Sequence, residues 1–212
     1  MNIETRLADT EIIIIDGAMG TELQRRGVPL NFEIWSAAAL LSHPQFVREI
    51  HVDYIRAGAE IQIAATYNTA PHVINPSSFD TTSRELTATA LRLVREGINV
   101  AGPAHPVWIA GSISTTVESR RKEMLDISML RDSYTEHAET LAEQGCDLLM
   151  LEMMLTHEFA IDLVFQSEIA AIAKRTGLPV WAGIAVKMAE SGTLYLQDGS
   201  EDSGEALRAG IE

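Results

Sequence analysis

The fold is decided by the stretch Ile12-Ile13-Ile14-Ile15-Asp16-Gly17-Ala18-Met19-Gly20, in which an apolar run ends in a glycine-containing turn. Consecutive β-branched residues bounded by turn residues are typical of a strand that is buried on both faces. Strand-sized apolar runs recur at 61–67, 107–113, 148–153 and 180–186. The sequence therefore predicts a sheet of buried strands that begins with this segment.

Helical patterns lie between the apolar runs. Ser-His-Pro-Gln at 42–45 and Thr-Ser-Arg-Glu at 82–85 have the capping-box pattern of a helix start, the first with a proline in its first turn. Apolar residues repeat at helical spacing over 130–141, and a fourth helix is predicted at about 157–175. The predicted order is strand and helix in alternation.

Glycines stand where the predicted helices end and the next strand begins, at Gly58, Gly145 and Gly177. Glycine at this position adopts the left-handed conformation that turns the chain back toward the sheet. The repeat predicts parallel strands joined by right-handed crossovers, in a (β/α) barrel or in an open doubly wound sheet. The first turn lacks the G-x-G-x-x-G nucleotide pattern, which favours the barrel.

Composition limits the classes of partner. The chain has 212 residues, 46% hydrophobic and 22% charged, which predicts one globular domain over 1–212. Its net charge of −14 repels phosphate backbones and anionic lipids, so neither nucleic acid nor a membrane is expected as a partner. A single cysteine rules out an internal disulfide, and no signal-peptide pattern opens the chain, so a cytoplasmic protein is predicted.

Two carboxylates at predicted strand ends are candidates for a binding site, because a barrel carries its site at the carboxyl ends of its strands. Asp16, beside the backbone N–H groups of the turn, could bind the amino and carboxylate ends of an amino acid; a tight turn capped by Asp16 is an equal alternative. Glu152 stands in an otherwise apolar run, where a carboxylate is costly to bury without a cation. This favours a substrate ammonium as its partner over a structural arginine.

Hydroxyl side chains stand at the ends of the second and third predicted strands, at Thr66 and Tyr67 and at Ser112, Ser114 and Thr115. Such residues can line a pocket, but ordinary loop composition also supplies them. Ordinary loop composition is the favoured explanation of these residues.

Two histidines, His72 and His157, also follow predicted strands. With Asp16 and Glu152 they could form the metal site of a barrel hydrolase. No H-x-H or H-E-x-x-H spacing supports this, so surface or capping positions are favoured for both.

The remaining candidates have structural interpretations. His51 and His137 lie within predicted helices and are expected to be packing or surface residues. Cys146 precedes a strand, at the end opposite the predicted site, and is expected to be a buried small apolar residue. The charged segment 116–126 is predicted to be a solvated loop rather than a lid.

Several motifs, taken together, resemble those of the homocysteine S-methyltransferase family. In order along the chain they are Asp-Gly-Ala-Met-Gly-Thr-Glu-Leu at 16–23, Ile-Trp-Ser-Ala at 34–37, 51–59, 65–67, 110–113, 145–149 with Glu152, and Leu-Gln-Asp-Gly at 196–199. The resemblance implies a (β/α)8 TIM barrel, of which about the first five β/α units lie in this chain. It also implies transfer of a methyl group from a small donor to the thiol of homocysteine, through a thiolate bound to zinc.

Residue roles follow from the same resemblance. It implies that Asp16, Gly17 and Glu152, with the adjoining Ala18 and Met19, bind homocysteine, and that Thr66 and Tyr67 form the wall of the pocket. The family holds its zinc through three cysteines, at the ends of the sixth and eighth strands. Cys146 matches none of them, so no metal ligand is assigned in this chain.

The carboxyl-terminal segment 208–212 is similar to 56–60, which introduces a strand, so we expect the domain to be incomplete at this end. Two positions also depart from the family: Met153 replaces the usual threonine, and Ser114-Thr115 replaces the usual Gly-Pro. The fifth strand is expected to expose an apolar edge at which the chain associates with itself or with another segment. We expect this chain alone to bind no stoichiometric zinc and to be inactive. The alternative is a shortened, non-catalytic relative that binds a small amino acid or another chain.

Overall fold

The computed structural model describes residues 3–8, 12–114, 126–154, 163–184, 186–192 and 194–196. The helices in these ranges are α1 (Ile3–Leu7), α2 (Met19–Arg25), α3 (Ala39–Ser42), α4 (Pro44–Arg56), α5 (Pro71–Ile74), α6 (Ser83–Ala101), α7 (Ile127–Glu143) and α8 (Leu163–Lys174). The strands are β1 (Ile61–Ile63), β2 (Trp108–Ser114), β3 (Leu148–Met154), β4 (Val180–Ile184), β5 (Val186–Met188) and β6 (Leu194–Leu196). No helix of the described ranges combines the length and the apolar character needed to cross a bilayer.

The main sheet has the strand order β1-β2-β3-β4, and every neighbouring pair is parallel. A barrel wall has this sequential order, whereas a doubly wound sheet reverses its order at a switch point. The segment 12–15 lies beside β1 and joins it through one parallel bridge, between Ile15 and Ile61. The first predicted strand is therefore in its predicted place beside β1, although it forms only this bridge. Its predicted burial on both faces is wrong, because Ile12, Ile14 and Ile15 are 85%, 52% and 46% exposed at this edge of the sheet.

Two kinds of local sequence signal, the glycine helix ends and the capping box at 82–85, predicted the structure correctly. Gly58, Gly145 and Gly177 have φ of 105°, 78° and 78°, which confirms the predicted left-handed helix exits. At the start of α6, Glu85 N donates to Thr82 Oγ1 at 3.2 Å and Thr82 N donates to Glu85 Oε2 at 2.9 Å, which confirms that capping box.

The capping box predicted at 42–45 is wrong. The residue before α4 is His43, which makes no side-chain cap. Ser42 instead belongs to α3, and its hydroxyl donates to the carbonyl oxygen of Ala38 at 3.0 Å. Pro44 does occupy the first turn of α4, as predicted.

The predicted fifth strand is divided in two. Residues 180–184 form β4 of the main sheet, and 186–188 instead pair antiparallel with 194–196, in a hairpin that the sequence pattern did not predict. Of the other predictions, residues 116–125 of the charged loop, the candidate Thr115, 157–162 of the fourth helix and the segment 208–212 lie outside the described residues.

Strand alternation divides the sheet into two faces, each with its own core. The larger cluster, here called the helix face, includes Ile109, Ile113, Leu149 and Leu151 together with the apolar sides of the helices. The other, here called the inner face, is a smaller cluster formed by Ile3, Ile61, Trp108, Ala110, Leu148 and Met150. Along β2 and β3 the inner face becomes polar toward the carboxyl ends, where the same alternation places Ser112 and Glu152.

A bulge near the end of β3 changes the face that the last residue of the strand occupies. The pairing with β4 shifts between Leu151 and Met154, and Met153 has a φ of 57°. A non-glycine residue in this region costs about 1 kcal/mol. The extra residue lets Met154 pack on the helix face, while Glu152 keeps the inward side of the strand.

Candidate active site

Asp16 and Glu152 meet at the carboxyl edge of the inner face. Asp16 Oδ2 accepts a hydrogen bond from the backbone N–H of Ile63 at 2.9 Å, and its Oδ1 is buried without a hydrogen-bond partner. Burial raises the pKa of Asp16 to about 8; the bond from Ile63 opposes this rise and the negative charge of Glu152 adds to it. An empty site therefore disfavours two ionised carboxylates.

Glu152 is held by one neighbour. Its Oε2 accepts a hydrogen bond from the hydroxyl of Ser112. Burial raises the pKa of Glu152, and the bond from Ser112 opposes that rise. Among the ion pairs of the described ranges none involves Asp16 or Glu152, so the structural arginine considered as an alternative for Glu152 is not found there.

The turn after Asp16 packs against α4. A Cβ atom at Gly17 would lie 2.7 Å from the hydroxyl oxygen of Tyr54, so a larger residue here requires the Tyr54 ring to shift. The helix α2 already begins at Met19, whose side chain packs against the helix face, and Ala18 precedes it without a side-chain cap. The predicted turn 16–20 is thus shorter than expected.

Thr66 and Tyr67 contact the end of β2. The Thr66 hydroxyl is buried; it accepts from the N–H of Ser112 at 2.9 Å and donates to the carbonyl oxygen of Ser112 at 2.9 Å. The carbonyl oxygen of Tyr67 accepts from the hydroxyl of Ser114 at 2.8 Å. Thr66 thus continues the pairing of β1 with β2 after β1 has ended, and its assignment to a pocket wall stays a prediction.

Ser112 is the site residue that sequence reasoning missed. The sequence places it at the end of the predicted strand 107–113 and favours ordinary composition over a pocket role for its hydroxyl, but in the structure that hydroxyl is the direct donor to Glu152. The signal that could have found it was strand parity, because Ser112 follows Trp108 and Ala110 on the inner face at intervals of two.

The sequence profile of the homocysteine S-methyltransferase family matches residues 13–209. The chain belongs to this family. The resemblance drawn from the motifs is thereby confirmed.

Relatives of known name give the same result. The chain is 30% identical over 156 residues to homocysteine S-methyltransferase of Escherichia coli, which covers 68% of this chain and 50% of the relative. It is 28% identical over 191 residues to homocysteine S-methyltransferase 2 of Zea mays, covering 80% of this chain and 54% of the relative. The chain thus spans about half the length of these curated relatives.

A solved structure confirms the fold. The metallated form of the homocysteine methyltransferase MmuM from Escherichia coli superposes with a TM-score of 0.76 at 25% identity, covering 99% of this chain and 72% of that one. The barrel-type arrangement predicted from the alternation of strands and helices is correct.

Within this homocysteine S-methyltransferase-family chain, His51 and His137 are core residues. His51 Nδ1 lies 2.9 Å from Gln62 Oε1, and His137 Nε2 lies 3.3 Å from the carbonyl oxygen of Ser112. Both rings are buried, and burial lowers the pKa of each to about 4. The packing role, one of the two predicted for them, is confirmed.

His72 is also buried, so the favoured surface or capping position is wrong for it. Its Nδ1 lies 2.8 Å from the hydroxyl oxygen of Ser133, and its ring packs 4.9 Å from the ring of Tyr134, centroid to centroid. These contacts place it against α7, because the sequence around it forms the short buried helix α5. His157 lies outside the described residues.

The zinc site that the family resemblance implies does not fit the donors described. No group of three His, Cys, Asp or Glu side chains in those parts of the chain is arranged to hold a metal ion. Cys146, the single cysteine of the chain, is buried on the helix face, as predicted, and burial raises the pKa of its thiol to about 12. A neutral, buried thiol is not a zinc ligand, so no chemical step is derived through zinc.

Proposed function

We propose that Asp16 and Glu152 bind the ammonium group of homocysteine, which makes this edge of the sheet the acceptor site of a homocysteine S-methyltransferase. The observation that carries the proposal is a pair of largely buried carboxylates on one face, with no cation bonded to either within the described ranges. Buried carboxylates are stabilised by a cation that also donates hydrogen bonds. A substrate ammonium supplies both.

The electrostatics support this assignment. Two interacting carboxylates in a poorly solvated site share one proton when the site is empty. An ammonium group placed between them favours the ionised form of both, and the unpaired Asp16 Oδ1 is an acceptor for one of its N–H bonds. We propose that the backbone N–H groups of Gly17, Ala18 and Met19 receive the carboxylate of the same substrate.

The methyl-transfer step is a separate matter. The family resemblance implies a reaction in which a methyl group passes from a sulfonium, a quaternary ammonium or a folate to the thiol of homocysteine. These 212 residues carry one cysteine, and it is buried. We therefore propose that this chain, assayed alone, binds homocysteine without zinc-dependent methyl transfer, the behaviour of a small amino-acid-binding relative.

Isothermal titration calorimetry tests the binding proposal. Homocysteine is titrated into the wild type and into Glu152→Gln, with Glu139→Gln on the exposed side of α7 as the matched control. We expect Glu152→Gln to lose at least about tenfold in affinity, because a charged hydrogen bond to the ammonium is lost. The control should bind like the wild type.

A ligand control separates the ammonium from the rest of the substrate. 4-Mercaptobutanoic acid has the thiol and the carboxylate of homocysteine but no amino group. It should bind at least about tenfold more weakly. Equal affinity for the two ligands, or for wild type and Glu152→Gln, would remove the carboxylate pair from the proposed role.

A further inference from the structure

We propose that Ser112 is the positioning residue of the site: its hydroxyl draws the Glu152 carboxylate back over the sheet, toward Asp16, and keeps it ready for a cation. This inference deepens the proposed function and rests on it for the identity of that cation. The contact itself involves only residues of the chain.

The geometry of the contact is diagonal across the strands. In the β2–β3 register, Ser114 is opposite Glu152, whereas Ser112 is opposite Met150. The bond from Ser112 to Glu152 therefore requires the glutamate side chain to fold back by two residues along its strand. A glutamate has three side-chain torsions, and an unrestrained one at a strand end would sample the solvent. The Ser112 hydroxyl removes that freedom.

Ser112 is itself held from two other elements. Thr66, just after β1, engages both its N–H and its carbonyl oxygen at 2.9 Å. His137 of α7 lies 3.3 Å from the same carbonyl oxygen. A carbonyl only accepts, so His137 donates from Nε2 and is the neutral tautomer protonated there. The serine is fully buried, and these contacts fix its backbone.

The charged groups around the contact define what the hydroxyl can change. Asp16 faces Glu152 from the segment before α2, and the neutral His137 lies behind Ser112 on α7. A hydrogen bond donated to a carboxylate favours its ionised form, so loss of the Ser112 hydroxyl raises the pKa of Glu152. Binding of an ammonium should then weaken most near neutral pH and recover as the pH rises.

The test is a carbon-13 NMR titration of the glutamate carboxyl carbons in the ligand-free 212-residue chain, with the Glu152 signal assigned by its loss in Glu152→Gln. The variants are Ser112→Ala and, as the matched control, Ser114→Ala. Ser114 lies on the same face of β2 and is buried, but its hydroxyl bonds to a backbone carbonyl. The Glu152 midpoint should move upward in Ser112→Ala and stay in place in Ser114→Ala.

An unchanged midpoint in Ser112→Ala, or an equal shift in both variants, would overturn the proposal. Ser112→Cys keeps the size of the side chain with a weaker donor, and it provides the same comparison if Ser112→Ala does not fold. A midpoint that Ser112→Cys leaves unchanged would count equally against the proposal.

Homocysteine affinity is measured in parallel. Ser112→Ala should lose about tenfold at pH 7 and recover part of that loss at higher pH. If the wild type does not bind homocysteine, the proposed function fails, whereas the ligand-free titration still decides the role of Ser112.

Discussion

On the helix face of the sheet, His51, His72 and His137 are buried as neutral rings, whereas Asp16 and Glu152 are largely but not fully buried carboxyl groups at the edge of the inner face. Each histidine has a protein partner on one ring nitrogen, and its other ring nitrogen is buried without a hydrogen-bond partner. The carboxylates have donors but no cation within the described ranges. The two regions therefore differ in charge: the histidines are neutral groups of the core, whereas the two carboxyl groups are the ones proposed to bind a substrate ammonium.

The two regions also respond to pH in opposite directions. Asp16 has a pKa of about 8 in the folded chain against an ordinary value of 3.8, so its contribution to stability is most favourable below pH 3.8 and is lost as the pH rises toward 8. His51 and His137 have pKa values lowered from 6.5 to about 4, so their cost is absent above pH 6.5 and grows as the pH falls toward 4. Because the two contributions oppose each other, the folded chain should be most stable at a pH between 4 and 8.

The largest effect should come from the apolar packing of the two faces, which adjacent leucines of β3 report. Leu149 lies in the helix-face cluster and Leu148 in the smaller inner-face cluster, and both are fully buried. Leu149→Ala should cost about 4 kcal/mol and Leu148→Ala about 2–3 kcal/mol, because the densely covered site can collapse less. Urea unfolding measures both. A larger loss for Leu148→Ala would reverse the assignment of the main core.

A smaller effect, of opposite sign, should come from the site. Asp16→Asn should raise the free energy of unfolding by about 2 kcal/mol at pH 8.5, because a buried charge is removed, and should have little effect at pH 4. Homocysteine binding should be lost at the same time. The exposed Asp132→Asn is the control. Equal effects of Asp16→Asn at the two pH values would contradict the linkage.

The smallest expected effect is a change in how steeply the free energy of unfolding depends on pH. The free energy of unfolding of the wild type should fall as the pH is lowered from 6.5 to 4. His51→Leu should reduce this dependence by up to about 1.4 kcal/mol per pH unit, since one neutral buried ring no longer resists protonation. His105→Gln, at a partly exposed position, should leave the slope unchanged. Denaturant unfolding across this range gives the slopes, and an unaltered slope in His51→Leu would show that another group dominates.

Local chemistry explains what the sequence could predict. Asp16 and Glu152 are isolated carboxylates at the ends of apolar runs, and the structure brings them together because parallel strands end at one edge. Thr82 and Glu85 form their cap entirely within one turn, so spacing was sufficient to find it.

The failures share a different origin. Strand parity gives the face on which Ser112 lies, but its bond to Glu152 depends also on strand register and on a side chain that folds back, and local spacing contains neither. The box at 42–45 failed because Ser42 is already used by the preceding helix. Likewise, Met153 lies in an apolar run, and nothing in that pattern marks the bulge that turns Met154 to the helix face.

The burial of Cys146 has a practical consequence for anyone who wishes to watch this site. Its thiol is the only one in the chain and is buried, so thiol-directed reagents should leave the native protein unlabelled. A cysteine introduced at the exposed position 153, beside Glu152, would carry a fluorophore at the edge where the carboxylates meet. Because Cys146 does not react, a cysteine at position 153 would be the single labelled site of the chain.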